Sequence, residues 1–292
     1  MKAYIKSVMA ATASIAAVLP FRGSGAEETA FPKIAPTTAL VTRNDQRMTI
    51  ENKRLRVSLD PTRNYCVVSL VTPDAPTENM IAPVSLSFSA TSKTESANEY
   101  YGRSTIKSAC RVETNGERTY GIINEKWPTL DVTKTIVFFG DKPYFQVKYK
   151  VEVTRDCKAE RLTLIVGATG DNNLLCFPDD GKASYKQGQP GEHWFTVPRD
   201  DSARWLSFIS EKRGQAFSVI GADAFGWGEL PPRLLCVNKK DGGFNVELIK
   251  KQKGGDLRAG DRFYFDLFIY VSGDVADIAN HNNQILSDLF PN

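Results

Sequence analysis

The chain has 292 residues, 41% hydrophobic and 24% charged, with a formal net charge of +3 spread along its length. That is the composition of an ordinary soluble globule. Its basic residues come in pairs, Lys239-Lys240 and Lys250-Lys251, without a patch, so nucleic-acid binding has no support.

Lys2 and Lys6 precede an uncharged, mostly apolar stretch from Val8 to Leu19, which Pro20 breaks. Ser24-Gly25-Ala26 then offers small residues before a cut at Glu27. Charge, short apolar run and small-residue site predict a signal peptide over residues 1–26, hence a periplasmic or extracellular protein. A membrane anchor is the alternative, but a helix over Val8–Leu19 spans roughly 18 Å, against about 30 Å of hydrocarbon. No cysteine lies near the cut for lipid modification. No later stretch is apolar for long enough to span a membrane, so none is expected in the mature chain.

Residues 27–47, with Pro32 and Pro36, read as an extended leader, and residues 48–292 as one β domain. Leu55, Val57 and Leu59 alternate with Arg56 and Ser58, then Asp60-Pro61-Thr62-Arg63-Asn64 turns the chain into Cys66–Val71. Ser85–Ala90, Ile106–Val112 and Tyr120–Ile123 are further short strands. The clearest hairpin runs from Val132–Phe139 through Gly140-Asp141-Lys142-Pro143 into Tyr144–Thr154. On its return strand Phe145, Val147, Tyr149, Val151 and Val153 share one face, and Gln146, Lys148, Lys150 and Glu152 the other. That period of two marks a half-exposed antiparallel strand. Trp127, before Pro128, is expected to pack where the next strand begins.

The second half adds Arg161–Val166, Trp205–Ser210, Ala216–Ile220, Arg233–Val237, Phe244–Ile249 and Phe263–Val271. In the last of these Tyr264, Phe268 and Tyr270 oppose Phe263, Phe265, Leu267 and Ile269, so both faces look covered. One short C-terminal helix is predicted, with Val275, Ile278, Ile285, Leu286 and Leu289 on one face. Asn282 interrupts that face and argues against a continuous helix. The fold class is therefore all-β: a large antiparallel β-sandwich with one short C-terminal helix.

Cys66, Cys110, Cys157, Cys176 and Cys236 have no CxxC spacing. Cys66, Cys176 and Cys236 lie in apolar runs, where free cysteine behaves as a small hydrophobe. Buried, mostly unpaired thiols are expected, with Cys157 the most accessible.

Two segments resemble a known family. Ile50-Glu51-Asn52-Lys53-Arg54-Leu55-Arg56-Val57-Ser58-Leu59-Asp60-Pro61, leading to a strand ending Ser69-Leu70, is similar to the opening of galactose mutarotase-like domains. The hairpin from Thr135 through Gly140-Asp141-Lys142-Pro143 to Val147 resembles the middle of such domains, which occur in mutarotases and as β-domains of glycosidases and polysaccharide lyases. The resemblance covers Met48 to Val271. It implies a supersandwich of two large sheets with sugar held on a sheet face. Mutarotases use histidines and a carboxylate to open the ring. Only His193 and His281 exist here, and no paired-histidine motif occurs in the first half, so mutarotase activity is not expected. His281 is expected on the surface.

The densest candidate cluster is Gly188-Gln189-Pro190-Gly191-Glu192-His193-Trp194-Phe195, followed by Arg199-Asp200-Asp201. Glu192 and His193 are the candidate acid/base pair, able to cooperate only if the chain bends there, because neighbours on a strand point to opposite faces. Trp194, Arg199 and Asp200 are candidate ligand contacts, as are Trp227, in a glycine- and proline-bounded loop, and Tyr100-Tyr101. The plainer readings are a turn entering an edge strand for the first cluster and a loop anchor for Trp227. Asp171, Asp179-Asp180 and Asp200-Asp201 could offer oxygens to calcium, but no D-x-D-x-D-G loop exists. No metal or other cofactor is expected. The expected partner is a glycan or oligosaccharide. Three functions remain open: a carbohydrate-binding protein, a sugar-active enzyme of epimerase or lyase type using His193, and a structural envelope protein. A lyase is disfavoured, since lyases with such sandwiches often carry catalysis on an added helical domain that this chain lacks.

Overall fold

The computed structural model describes residues 39–101, 106–169, 171–179, 182–187, 191–196, 205–221, 233–238 and 244–289. Alternating apolar and polar residues dominate these segments, and the backbone answers with strands. They begin with β1 (Leu40–Arg43), β2 (Met48–Glu51), β3 (Arg56–Asp60), β4 (Cys66–Val71), β5 (Ile81–Ala90) and β6 (Ala97–Asn98), with a 3-10 turn at Pro61–Arg63. A meander follows: β7 (Lys107–Asn115), β8 (Arg118–Lys126), β9 (Leu130–Phe139) and β10 (Tyr144–Val153). Then come β11 (Cys157–Ala168), β12 (Leu174–Asp179), β13 (Lys182–Gln187), β14 (Gly191–Thr196), β15 (Trp205–Ser210) and β16 (Gln215–Ile220). β17 (Arg233–Asn238), β18 (Phe244–Leu257), β19 (Arg262–Ser272) and the helix α1 (Ile278–Leu289) complete the order.

The strands form two antiparallel sheets. The first has ten strands in the order β1-β2-β3-β4-β5-β11-β18-β17-β14, with β6 beside β5. The second has nine, in the order β13-β12-β15-β16-β19-β10-β9-β8-β7. Its central strand β19 is thus the last described strand of the chain. The all-β sandwich read from the sequence is the fold observed.

Face-to-face packing follows from the period of two. Phe145, Val147, Tyr149, Val151 and Val153 of β10 are all buried in one cluster with Val57, Leu59, Val84, Leu86, Leu162 and Leu164 of the first sheet. Phe138 stacks on Phe145 across the β9–β10 hairpin, centroids 5.6 Å apart, and Phe208 on Phe217 at 4.6 Å. Asn52 ties the two layers at one end. Its Nδ2 donates to the carbonyls of Gly140 (2.7 Å) and Lys142 (3.1 Å) in the hairpin turn. At the open edges Arg43 of β1 donates to the Cys110 carbonyl of β7 and to the Tyr65 hydroxyl.

Several expectations change. Leu40–Arg43, inside the stretch read as a leader, is a sheet strand paired with β2. The helix is continuous through Asn282, which is buried: its Nδ2 donates to Ser207 Oγ at 2.7 Å, and Ser207 Oγ lies 2.7 Å from Ser218 Oγ. Trp205 Nε1 donates to Asn283 Oδ1 at 2.8 Å. The asparagines therefore meet a polar strip on the outer face of the second sheet instead of breaking the helix. The helix explains why β19 is apolar on both faces, since Phe268 is buried beneath it, while Tyr264, beyond it, is exposed. His281, expected on the surface, is half-buried. Among the described cysteines, Cys66, Cys110 and Cys157 are free thiols. Cys157 is buried because its register partner is Leu257, in the core, and Cys110 on β7 is the more accessible. Cys236 lies on β17, whose side chains are outside the described residues.

Candidate functional site

A very short strand sets the best-defined aromatic feature. In β6, Asn98 pairs with Ser87 and Ala97 with Phe88. Asn98 Oδ1 accepts the backbone N–H of Tyr100 at 2.9 Å and of Tyr101 at 3.0 Å, so the side chain itself turns the chain. The Arg63 guanidinium lies 4.0 Å from the Tyr100 ring centroid. Such a contact is worth about 0.5–1 kcal/mol at exposed sites. Arg63 is oriented by Asp60, 3.4 Å from its Nε, and Asp60 also caps the 3-10 turn through the N–H of Thr62. Tyr101 meets Tyr100 edge-on, centroids 4.9 Å apart, and remains 79% exposed. The result is an outward aromatic ring held on a fixed turn.

Glu99, between Asn98 and Tyr100, goes the other way. It is fully buried, and its Oε2 accepts the Leu86 N–H at 2.7 Å and the Tyr149 hydroxyl at 2.9 Å. Its Oε1 pairs with Lys134 Nζ, which also donates to the Asn64 carbonyl at 2.9 Å and lies 3.3 Å from Glu125 Oε1. Glu125 Oε2 accepts the indole N–H of Trp127 at 2.7 Å, and Trp127 is buried at the turn into β9 as expected. Asn64, with φ of 55°, donates to the Glu99 carbonyl at 2.9 Å. Lys134 and Glu99 have no exposed side-chain surface. Burial pushes Lys134 down, but the Glu99 and Glu125 carboxylates outweigh it and hold the ammonium above the ordinary lysine range. Burial, then the Glu99 charge, pushes Glu125 well above the usual carboxylate range. The same two causes raise the Tyr149 hydroxyl and the Cys66 thiol. The buried charges Glu99, Glu125 and Lys134 were not singled out from the sequence. The available signal was parity: Lys134 falls in step with Val132, Ile136 and Phe138, which all face the core.

The face of the first sheet turned away from the core carries a set of polar residues among apolar ones such as Ile165. Register sets Ser58 opposite Ser69, Ser85 opposite Ile165, and Ser87 between Asn98 and Thr163. Their strand neighbours Val57, Leu70, Leu86 and Leu162 all point into the core, so these residues point out. Ser58, Ser85 and Thr163 are nonetheless buried. Thr163 Oγ1 has no hydrogen-bond partner among the described residues. Ion pairs flank the hydroxyls on this face, Glu51 with Arg56 at 2.6 Å and Arg161 with Glu247. Among these groups Ser69, Ser87, Arg161 and Glu247 are half-buried and keep some surface, while Ser58, Ser85, Thr163, Glu51 and Arg56 are buried.

The remaining predicted site residues divide. Glu192, His193 and Trp194 lie on β14, the terminal strand of this same sheet, with side chains outside the described residues. Their partners are Val237, Cys236 and Leu235, without a register shift. The backbone therefore shows no bend that would bring Glu192 and His193 to one face. Backbone register carries one cross-strand row from Ser85 through Ile165, Glu247 and Leu235 to Trp194. Four strand spacings of about 4.8 Å make that row roughly 19 Å long. Arg199, Asp200 and Trp227 lie outside the described residues. Among the described residues, no group of three or more His, Cys, Asp or Glu is placed to hold a metal. Asp171, one of the expected oxygen donors, is paired with Arg213. No described helix is long and apolar enough to cross a membrane.

Solved structures share this architecture. An α-galactosidase of Geobacillus stearothermophilus aligns over 80% of this chain and 41% of its own, at 9% identity and a TM-score of 0.58. The fold is theirs in common. An α-mannosidase from Enterococcus faecalis V583 aligns over 83% of this chain and 31% of its own, at 9% identity and TM-score 0.57. A TPR-domain containing protein from Parabacteroides distasonis does so over 83% and 55%, at 8% identity and TM-score 0.56. The chain thus spans less than half the length of the α-galactosidase and of the α-mannosidase. A galactose mutarotase-like protein from Lactobacillus casei shows a more diffuse resemblance, at 12% identity and TM-score 0.48. No family model and no curated protein matches the sequence.

Proposed function

We propose that this chain recognises carbohydrate outside the cytoplasm, holding a glycan on the outer face of the first sheet. The carrying observation is Tyr101: a large ring, 79% exposed, whose backbone is held by Asn98 and whose edge meets Tyr100, itself covered by Arg63. A ring so placed offers an apolar surface to one face of a pyranose, and the half-buried Ser69, Ser87, Arg161 and Glu247 of the first sheet are the proposed polar contacts. The fold shared with an α-galactosidase and an α-mannosidase supports the same reading. Trp194, by its register in the same sheet, and Arg199, Asp200 and Trp227, from the sequence, are further proposed contacts. The function is binding; the unbent register through Glu192 and His193 gives no support to acid/base catalysis there.

Glycan-array and calorimetric binding test this. Wild type should bind a glycan, and Tyr101→Ala should lose about 1–3 kcal/mol of that affinity, roughly tenfold or more, with an unchanged melting temperature. If wild type binds no glycan, or Tyr101→Ala binds it equally well, the structural envelope reading replaces this one.

Export rests on Lys2, Lys6, the run to Leu19 and Ser24-Gly25-Ala26. Expressed with its leader in a bacterial host, the protein should be recovered outside the cytoplasm with Glu27 as its first residue by N-terminal sequencing. Soluble cytoplasmic protein beginning at Met1 would refute export.

A further inference from the structure

The buried cluster holds two carboxylates and one ammonium. Glu99, Glu125 and Lys134 are sealed between the sheets, and the groups around them are the Tyr149 hydroxyl, the Cys66 thiol, the Trp127 indole and the Asn64 carbonyl. With both carboxylates ionised the cluster carries one net negative charge, which a dry interior does not tolerate; a buried group in that position takes up a proton instead. The geometry names the site of that proton. Glu99 accepts three donors: Leu86 N–H and Tyr149 O–H on Oε2, Lys134 on Oε1. Glu125 accepts one hydrogen bond, from the Trp127 N–H on Oε2, while its Oε1 lies 3.3 Å from Lys134 Nζ without a hydrogen bond among the described residues. Of two carboxylates sharing one ammonium, the one with fewer donors and the longer ion pair is where the proton belongs.

The two carboxylates are not equally free to respond when that proton leaves. Glu125 sits inside β8, paired on both sides by β7 and β9. Glu99 follows a strand of two residues and precedes the aromatic turn directly. Repulsion between two ionised carboxylates would therefore be relieved on the Glu99 side.

We infer that Glu125 carries a proton at neutral pH and that this proton locks Glu99, and through it the Tyr100–Tyr101 turn, to the core. Glu99 is then the positioning residue of the turn and Glu125 its proton-dependent latch. This rests on the turn being the contact site, and it adds a control: alkaline pH loosens the ring that meets the ligand. The sign follows from linkage. The Glu125 carboxyl is raised above its unfolded value, so the folded chain keeps a proton that the unfolded chain has lost. The stabilisation is full below the unfolded carboxylate range and is lost as pH rises through the folded value.

The test is amide hydrogen exchange of the whole protein without glycan, between about pH 6 and about pH 9, corrected for intrinsic exchange. Protection at Glu99, Tyr100 and Tyr101 should fall by about tenfold or more in wild type, while amides of β8 and β9 keep theirs. In Glu125→Gln, a permanent stand-in for the protonated form, protection at the turn should stay flat. A pH-independent wild type, an equal fall in Glu125→Gln, or equal loss throughout β8 and β9 overturns the latch. If the variant does not fold, infrared spectroscopy of wild type decides: a buried carboxylic acid carbonyl band at neutral pH supports the latch and its absence refutes it. Neither readout involves a sugar, so failure here leaves the glycan reading standing, and failure to bind glycan leaves the latch standing.

Discussion

Lys134→Met should destabilise the protein by about 3–5 kcal/mol, the usual cost of removing one partner from a buried ion pair. Lys134 contributes no exposed surface, and it is the only cation contacting Glu99 and Glu125 among the described ion pairs. Methionine fills much of the same volume, so the loss is electrostatic: Glu99 keeps its desolvation and loses its counter-charge. Against a total stability of about 5–15 kcal/mol, that is a large fraction. The melting temperature should drop by roughly 6–20 °C for a chain of this size. Burial works against the charged lysine and the two carboxylates work for it, with the balance raising Lys134 above its unfolded value. Its stabilisation is therefore fully present below the ordinary lysine range and fades only as pH rises through the folded value, so the loss appears whole at neutral pH. Urea unfolding measures it. Adding Glu99→Gln and Glu125→Gln to Lys134→Met should recover a good part of the loss, because the harm lies in unpaired charge. A Lys134→Met variant within about 1 kcal/mol of wild type would show that the cluster does not work as an ion pair.

Phe145→Ala should cost a similar amount, about 3–5 kcal/mol, for a different reason. Phe145 is wholly buried, stacked on Phe138 with planes 14° apart, and removing the ring leaves a cavity that two hydrogen-bonded sheets cannot close. Part of the cost belongs to the ring pair itself. A double-mutant cycle with Phe138→Ala should return a coupling of about 0.5–1.5 kcal/mol. A coupling near zero would mean that the rings act as separate pieces of apolar bulk. Glycan affinity, if present in wild type, should survive in the folded fraction, since neither ring reaches the outer face.

The β9–β10 hairpin was legible because its signals agree: inward Phe145, Val147, Tyr149, Val151 and Val153, outward charges, and a glycine turn whose Gly140 takes φ of 49°. The helix was legible in place but not in continuity. Asn282 looked like an interruption because Ser207 and Ser218, the partners that make it welcome, lie far away in sequence. β1 and β6 carried almost no signal, since four- and two-residue strands are too short to show a period. Among the site residues, Tyr100 and Tyr101 were found by type, large aromatics beside polar turn residues. The Glu99 cluster was missed because each member looks like a surface charge until the parity of β8 and β9 is matched to a core that another sheet supplies.

The position of β19 has a consequence in time. It is the last strand described and sits between β16 and β10, joining two halves of the second sheet, β13-β12-β15-β16 and β10-β9-β8-β7. Tyr144 waits for Tyr270 and Phe145 for Ile269, contacts that close very long loops. Topologies built on such distant pairings fold slowly, and the early chain has open edges and an unfinished core. Until β19 has emerged, synthesis from the N-terminus therefore leaves the second sheet in two separate pieces. For a protein proposed to leave the cytoplasm, that delay would keep the chain threadable through a narrow pore until β19 joins the two pieces of its sheet.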